Sequence, residues 1–144
     1  MSKKKYAGDK TPQETWDLLA ENPNAQMIDV RTDAEFVYVG SPDLSSLGKE
    51  PLQVYWKIFP AMTVNPDFVA QTVQALGPGA GKDTPLLFLC RSGIRSLHAA
   101  EAMTAAGWTA CFNVTSGFEG DKNKKKHRAT VNGWQVDGLP WKQK

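Results

Sequence analysis

The sequence predicts a three-layer α/β domain, with a largely parallel sheet and helices on both faces. Short apolar runs alternate along the chain with helical patterns, the order that builds such a sheet. One run, PLLFLC from Pro85 to Cys90, has no polar alternation and so suits a strand covered on both sides. The segment that follows it, CRSG and then IRSLHAAEAMTAAG, reads as strand, tight loop and helix.

Taken in order, Thr11, Pro12 and Glu14 supply an N-cap, a first-turn proline and a capping-box acid. They predict a helix from about Pro12 to Glu21, with Trp16, Leu19 and Ala20 on one face. The apolar run Met27 to Val30 follows the turn-rich ENPN and predicts a buried strand ending near Arg31. Between Gly40 and Pro51, serine, glycine and proline predict a surface loop before a second apolar run, Leu52 to Phe59. Asn65 and Pro66 predict another cap and first-turn proline. Phe68, Val69, Val73 and Leu76 then form an apolar stripe that stops at Gly77. After the linker GPGAGKDT and the strand ending at Cys90, a helical stripe of Ala99, Ala102, Met103 and Ala106 stops at Gly107. A last strand is predicted at about Thr109 to Val114, and the tryptophans of the tail VNGWQVDGLPWKQK need a surface to cover.

Composition limits the function. The 144 residues, 41% hydrophobic and 22% charged, suit one globular domain spanning residues 1–144 and exclude disorder and solenoids. No apolar run approaches the roughly 20 residues that span a bilayer. MSKKKYAGDK leads into polar residues, unlike a secretory leader. Residues 1–5 read as a flexible basic N-terminus, and a soluble cytoplasmic protein is expected. A net charge of +2 is too small for a dedicated nucleic-acid binder, so neither nucleic acid nor membrane is an expected partner. The exception to this dilute charge is KNKKKHR, Lys122 to Arg128, which reads first as a solvated loop. It also follows the last strand, so it can attract an anion or an acidic partner to the same sheet edge. Two cysteines are too few for a disulfide framework.

CRSGIRS places the Cys90 thiol where a buried strand ends and a helix begins. Unsatisfied N–H groups and the positive end of the helix stabilise an anion there. Gly93 lets the loop curl so that its amides form a nest. Arg91 and Arg95 add positive charge, and together these features favour a nucleophilic thiolate. Arg95 is expected to meet the oxyanion of a substrate, Arg91 to sit at the mouth, and Ser92 and Ser96 to add hydrogen bonds.

CRSGIRS at a strand-to-helix junction resembles the active-site loop of single-domain rhodanese-family sulfurtransferases. IDVRTDAEF, Ile28 to Phe36, is similar to that family's first signature, and NVTSGFEGD with GWQVDGLPW to its closing stretch. After Phe36 the family usually has histidine-isoleucine-x-glycine-alanine, where this chain has Tyr38, Val39, Gly40 and Ser41. The resemblance covers about Tyr6 to Trp141. It implies a rhodanese-like fold and a persulfide on Cys90, loaded by an anionic donor such as thiosulfate and discharged to cyanide, a small thiol or a protein acceptor. It implies a substrate loop of Arg91, Ser92, Gly93, Ile94, Arg95 and Ser96, and no cofactor.

Two alternatives stand beside it. Cysteine phosphatases and arsenate reductases use Cys-x5-Arg, whereas the spacing here is Cys-x4-Arg with Ser96 at the phosphatase arginine's position. A non-catalytic binding module would not need the thiol. Elsewhere the structural readings lead. Cys111 reads as inert core at a height in the sheet that disfavours a disulfide to Cys90. Asp29 reads as loop support through amides or an arginine, Arg31 as the partner of Glu35, and His98 as a helix-surface residue pointing away from the thiol. Neither His98 nor His127 has a second ligand at metal spacing, so no metal is expected.

Overall fold

The computed structural model describes residues 5–58 and 61–143. Phe59, the end of one expected apolar run, and residues 1–4 of the expected basic N-terminus lie outside them.

Five parallel strands form the central sheet: β1 (Gly8–Lys10), β2 (Gln26–Asp29), β4 (Leu52–Gln53), β7 (Leu86–Leu89) and β8 (Cys111–Val114). Their spatial order is β1-β8-β7-β2-β4. Register places Ile28 beside Phe88 and Phe88 beside Asn113. Strand β7 alternates between two cores. Leu86, Phe88 and Cys90 face α2 (Phe68–Leu76) and α3 (Ile94–Ala105), while Leu87 and Leu89 face α1 (Pro12–Glu21) and the C-terminal tail. Each of these strand side chains is at most 1% exposed, worth roughly 1.5–3 kcal/mol of transfer free energy apiece.

Helix α1 has the expected bounds. The Thr11 hydroxyl accepts from the Glu14 N–H, and the Glu14 carboxylate accepts from the Thr11 N–H. Its buried face is Pro12, Thr15 and Leu19, and Ala20 is exposed, one position off the expected stripe. Helix α2 begins at Phe68, so Asn65 and Pro66 precede it instead of opening its first turn. Asn65 accepts from the Asp67 N–H and donates to the Tyr55 carbonyl and to Gln71, tying the helix start to the chain beside Tyr55. Val73 is 40% exposed, and Thr72, whose hydroxyl donates to the Phe68 carbonyl, takes the buried position. In α3 the buried face is Ser96, Ala99, Ala100 and Met103, where the expected stripe had Ala102 and Ala106.

Strand β1 had no signature in GDK. It exists because β8 offers it a parallel edge, with Asp9 beside Asn113. The expected surface loop from Gly40 to Pro51 is more ordered than its composition implies. Its β3 (Ser41–Pro42) pairs antiparallel with β9 (Trp141–Lys142), and Ser41, Pro42 and Leu44 are buried. Gly40 has φ +119°, and a Cβ there would sit 2.8 Å from the Lys142 carbonyl oxygen. From this segment Lys49 also donates to the carbonyls of Leu19, Asn22 and Ala25, neutralising the exposed C-terminal end of α1. The tail tryptophans are packing anchors. Trp134 is fully buried, donates to the Pro140 carbonyl at 2.7 Å and packs edge-on to Trp16. Trp141 packs edge-on to Phe118. A small hairpin, β5 (Lys57–Ile58) with β6 (Thr63–Val64), completes the described strands.

Candidate functional site

Because all five sheet strands run the same way, their carboxyl ends share one edge, and Cys90 lies on it immediately after β7. Gly93 caps α3 with φ +106°, a conformation that only glycine adopts readily. Its N–H donates to the Cys90 sulfur at 3.1 Å. The loop's carbonyls are drawn to the opposite side. The Phe118 N–H donates to the Cys90 carbonyl at 2.8 Å, and the Glu119 and Gly120 N–H groups donate to the Arg91 carbonyl at 3.0 and 3.1 Å. This contact needs Gly117, where φ is +64° and a Cβ would fall 2.5 Å from the Cys90 oxygen. The NVTSGFEGD segment therefore shapes the cysteine loop. Among the described residues one backbone donor, that of Gly93, reaches the sulfur, a smaller set than the expected nest.

Behind the sulfur lies a polar chain. The Ser96 hydroxyl is 3.3 Å from Cys90 Sγ and 2.5 Å from Asn113 Oδ1, while Asn113 Nδ2 is 3.4 Å from Asp9 Oδ1. A carboxylate only accepts, so the Asn113 amide turns its nitrogen toward Asp9 and its oxygen toward Ser96. Ser96 must then donate to Asn113 and present a lone pair to the sulfur. Tyr6 closes the chain by donating to Asp9 at 2.8 Å. Burial and this bond push its hydroxyl up to about 12. Asn113 and Asp9 were not among the expected site residues. The signal available was the polar Asn113 inside the otherwise apolar run CFNV.

The arginines divide differently from expectation. Arg95 makes a two-pronged ion pair with Glu35 at 2.7 and 2.9 Å, so its charge is already met. Burial would raise the Glu35 carboxyl, but the hydrogen bonds and charge of Arg95 and the donors of Thr32 outweigh it and hold it at about 2. Burial would lower Arg95, and Glu35 reverses that, leaving it raised. Arg31 does not meet Glu35. It pairs with Asp29, both side chains fully buried, at 2.8 Å. It also donates to the Gly40 carbonyl and lies over the Phe118 ring, 4.4 Å from its centroid. Asp29 thus holds an arginine that supports Phe118, whose N–H in turn holds the Cys90 carbonyl.

Cys90 is 1% exposed, yet it lines a cavity of about 330 Å³ with Glu35, Lys57, Met62, Arg91, Ser92, Ile94, Arg95 and Arg128. The residue is packed against the core on one side and opens to this space on the other. Lys57, Arg91 and Arg128 have no anionic partner among the described residues. Arg128 instead donates to the Gly120 carbonyl, which returns the end of the basic loop to the cavity wall. Ile94 is 68% exposed at the rim. Cys111 is fully buried at the first position of β8, beside Leu86, and burial pushes its thiol up to about 11. It lies in the core, as expected. His98 lies on the helix surface, 3.2 Å from Glu101.

A family model described as the STR4 middle domain matches residues 7–144. The uncharacterized protein RP600 of Rickettsia prowazekii is 34% identical over 126 residues, 88% of this chain and 89% of its own. Rhodanese-like domain-containing protein 4 of Arabidopsis thaliana, a chloroplastic protein, is 26% identical over 140 residues, 96% of this chain but 26% of that longer protein. Among solved structures, Rv0390 from M. tuberculosis superposes with a TM-score of 0.84 at 46% identity, covering 96% of this chain and 99% of that one. The polysulfide-sulfur transferase of Wolinella succinogenes, at 18% identity and covering 97% of this chain and 80% of its own, shares the fold with a TM-score of 0.61.

Proposed function

This chain belongs to the STR4 middle-domain family and has a rhodanese-like fold, and from that premise we propose that it is a sulfurtransferase carrying a persulfide on Cys90. The observation that carries the proposal is the Cys90 sulfur itself. It accepts the Gly93 N–H and lies at a cavity walled by Lys57, Arg91 and Arg128.

In the first step the thiolate attacks the outer sulfur of thiosulfate. The new bond joins the two sulfurs, the old sulfur–sulfur bond of the donor breaks, and its electron pair leaves with sulfite. In the second step a nucleophile such as cyanide takes the outer sulfur, and the electron pair of the broken bond returns to Cys90 as thiolate. No proton transfer is needed in either step, so the site works without a general base. Charge governs both. The donor's oxyanion falls to Arg91, Lys57 and Arg128, the cations left over once Arg95 is held by Glu35. Arg95 then acts by fixing the first turn of α3 beneath the loop.

The test is formation of thiocyanate from thiosulfate and cyanide. Turnover by the wild type and its loss in Cys90→Ser support the assignment. Retained turnover in Cys90→Ser removes the role of this sulfur, and hydrolysis of a phosphate ester without thiosulfate reactivity favours the Cys-x5-Arg chemistry instead.

A further inference from the structure

Beside the sulfur cavity lies a second one of about 400 Å³, and its walls are mainly apolar. Val37, Tyr38, Tyr55 and Ile58 line it, with Asp33 and Lys57 as its charged members. Lys57 lines both cavities. A single turn of helix, Glu35–Val39, separates them. Glu35 reaches into the sulfur side to hold Arg95, while Val37 and Tyr38 face the apolar side. Tyr38 is 79% exposed, Ile58 43% and Tyr55 38%, an aromatic and aliphatic surface next to a nucleophilic sulfur.

We propose that the apolar cavity binds the body of a small apolar or aromatic thiol, which accepts sulfur from Cys90 with its thiolate passing Lys57. The inference rests on the sulfurtransferase reading above and names its acceptor class. The volume suits a small organic body. Cys90 is 1% exposed and opens only into the sulfur cavity, an access that favours a slender thiol over a broad partner surface. Charge agrees, since the entering thiolate meets Lys57 at the shared wall and Asp33 on the apolar side keeps the anionic end directed toward the sulfur cavity. In the transfer the acceptor thiolate bonds to the outer sulfur, the bond from that sulfur to Cys90 breaks, and its electron pair returns to Cys90. The products are an organic persulfide and the free thiolate enzyme.

The experiment compares two primary alkyl thiols as acceptors with thiosulfate as donor, phenylmethanethiol and 2-mercaptoethanol, with cyanide as a third acceptor. Burial of the ring lowers KM for phenylmethanethiol about tenfold relative to 2-mercaptoethanol. Tyr38→Ser and Ile58→Ser each erase most of that difference and leave kcat/KM for cyanide unchanged. Equal KM values for the two thiols in the wild type, or an equal loss with cyanide in the variants, overturn the proposal. Binding of phenylmethanol, which carries no thiol, reads the cavity apart from the chemistry. Shifts of the Val37 and Ile58 methyl signals that vanish in Tyr38→Ser support the cavity even if thiosulfate turnover is absent, in which case the sulfurtransferase reading is what fails. No shift at millimolar phenylmethanol overturns the apolar site.

Discussion

At Cys90 the decisive question is which neighbour supplies a proton to the sulfur and which withholds one. Gly93 supplies one. Ser96 withholds its own, because Asn113, oriented by Asp9, takes the hydroxyl hydrogen. Replacing Asn113 with leucine, close in volume, frees the hydroxyl to turn and donate to the thiolate. A hydrogen bond to a charged group is worth about 1.5 kcal/mol, and about half of that, on a logarithmic scale, is lost because a stabilised thiolate is a weaker nucleophile, so alkylation of Cys90 by iodoacetamide at neutral pH accelerates by about threefold in Asn113→Leu. The double variant with Ser96→Ala lacks the gain. An unchanged or slower rate in the single variant contradicts this hydrogen-bond direction. Cys90 and Gly93 were legible in CRSGIRS, because a strand end, a glycine and a helix start follow one another within seven residues. The partners Asn113 and Asp9 were not, since they are separated from Cys90 by 23 and 81 positions and meet it only through sheet pairing.

Among the elements, the turn Glu35–Val39 carries the most consequence, since Glu35 holds the first turn of α3 through Arg95. Glu35 is held at about 2 against an ordinary 4.5. A folded-state value below the unfolded one means that the carboxylate stabilises the fold fully above about 4.5 and loses that contribution as pH falls toward 2. Glu35→Gln is therefore destabilised by on the order of 2 kcal/mol at pH 7, between the cost of a surface pair and a buried one. In urea unfolding, the gap between wild type and variant should close steadily between pH 4.5 and 2. A gap that persists unchanged at the acid end would show that the charge of Glu35 is not what stabilises the turn. Glu35 was visible in IDVRTDAEF, but its nearest arginine in sequence, Arg31, was the wrong partner. Arg31 is drawn inward by Asp29, two residues away on the same strand end, before Glu35 can reach it. The helices and β7 were legible because caps and apolar periodicity are local. Strands β1 and β3 were not, because short polar segments become strands only when another edge accepts them.

On the scale of the whole molecule, a small net charge of +2 hides a local concentration of cations at the sulfur cavity. Lys57 comes from a hairpin, Arg91 from the cysteine loop and Arg128 from the end of the basic run, so three separate segments converge there. Attraction of a divalent anion by such a cluster is screened by salt, with a Debye length of about 8 Å at physiological ionic strength. Turnover with thiosulfate should fall in kcat/KM as salt is raised, and Arg91→Ala and Arg128→Ala should each raise KM several-fold and flatten that dependence. Salt dependence identical to the wild type in both variants would assign the attraction to other groups. The persulfide proposed on Cys90 can be weighed. After incubation with thiosulfate, intact-protein mass spectrometry should find the wild type heavier by one sulfur atom, localised to Cys90 and removed by cyanide, with Cys90→Ser unmodified. An unmodified wild type, or a Cys90→Ser variant that takes up the same mass, would contradict the account.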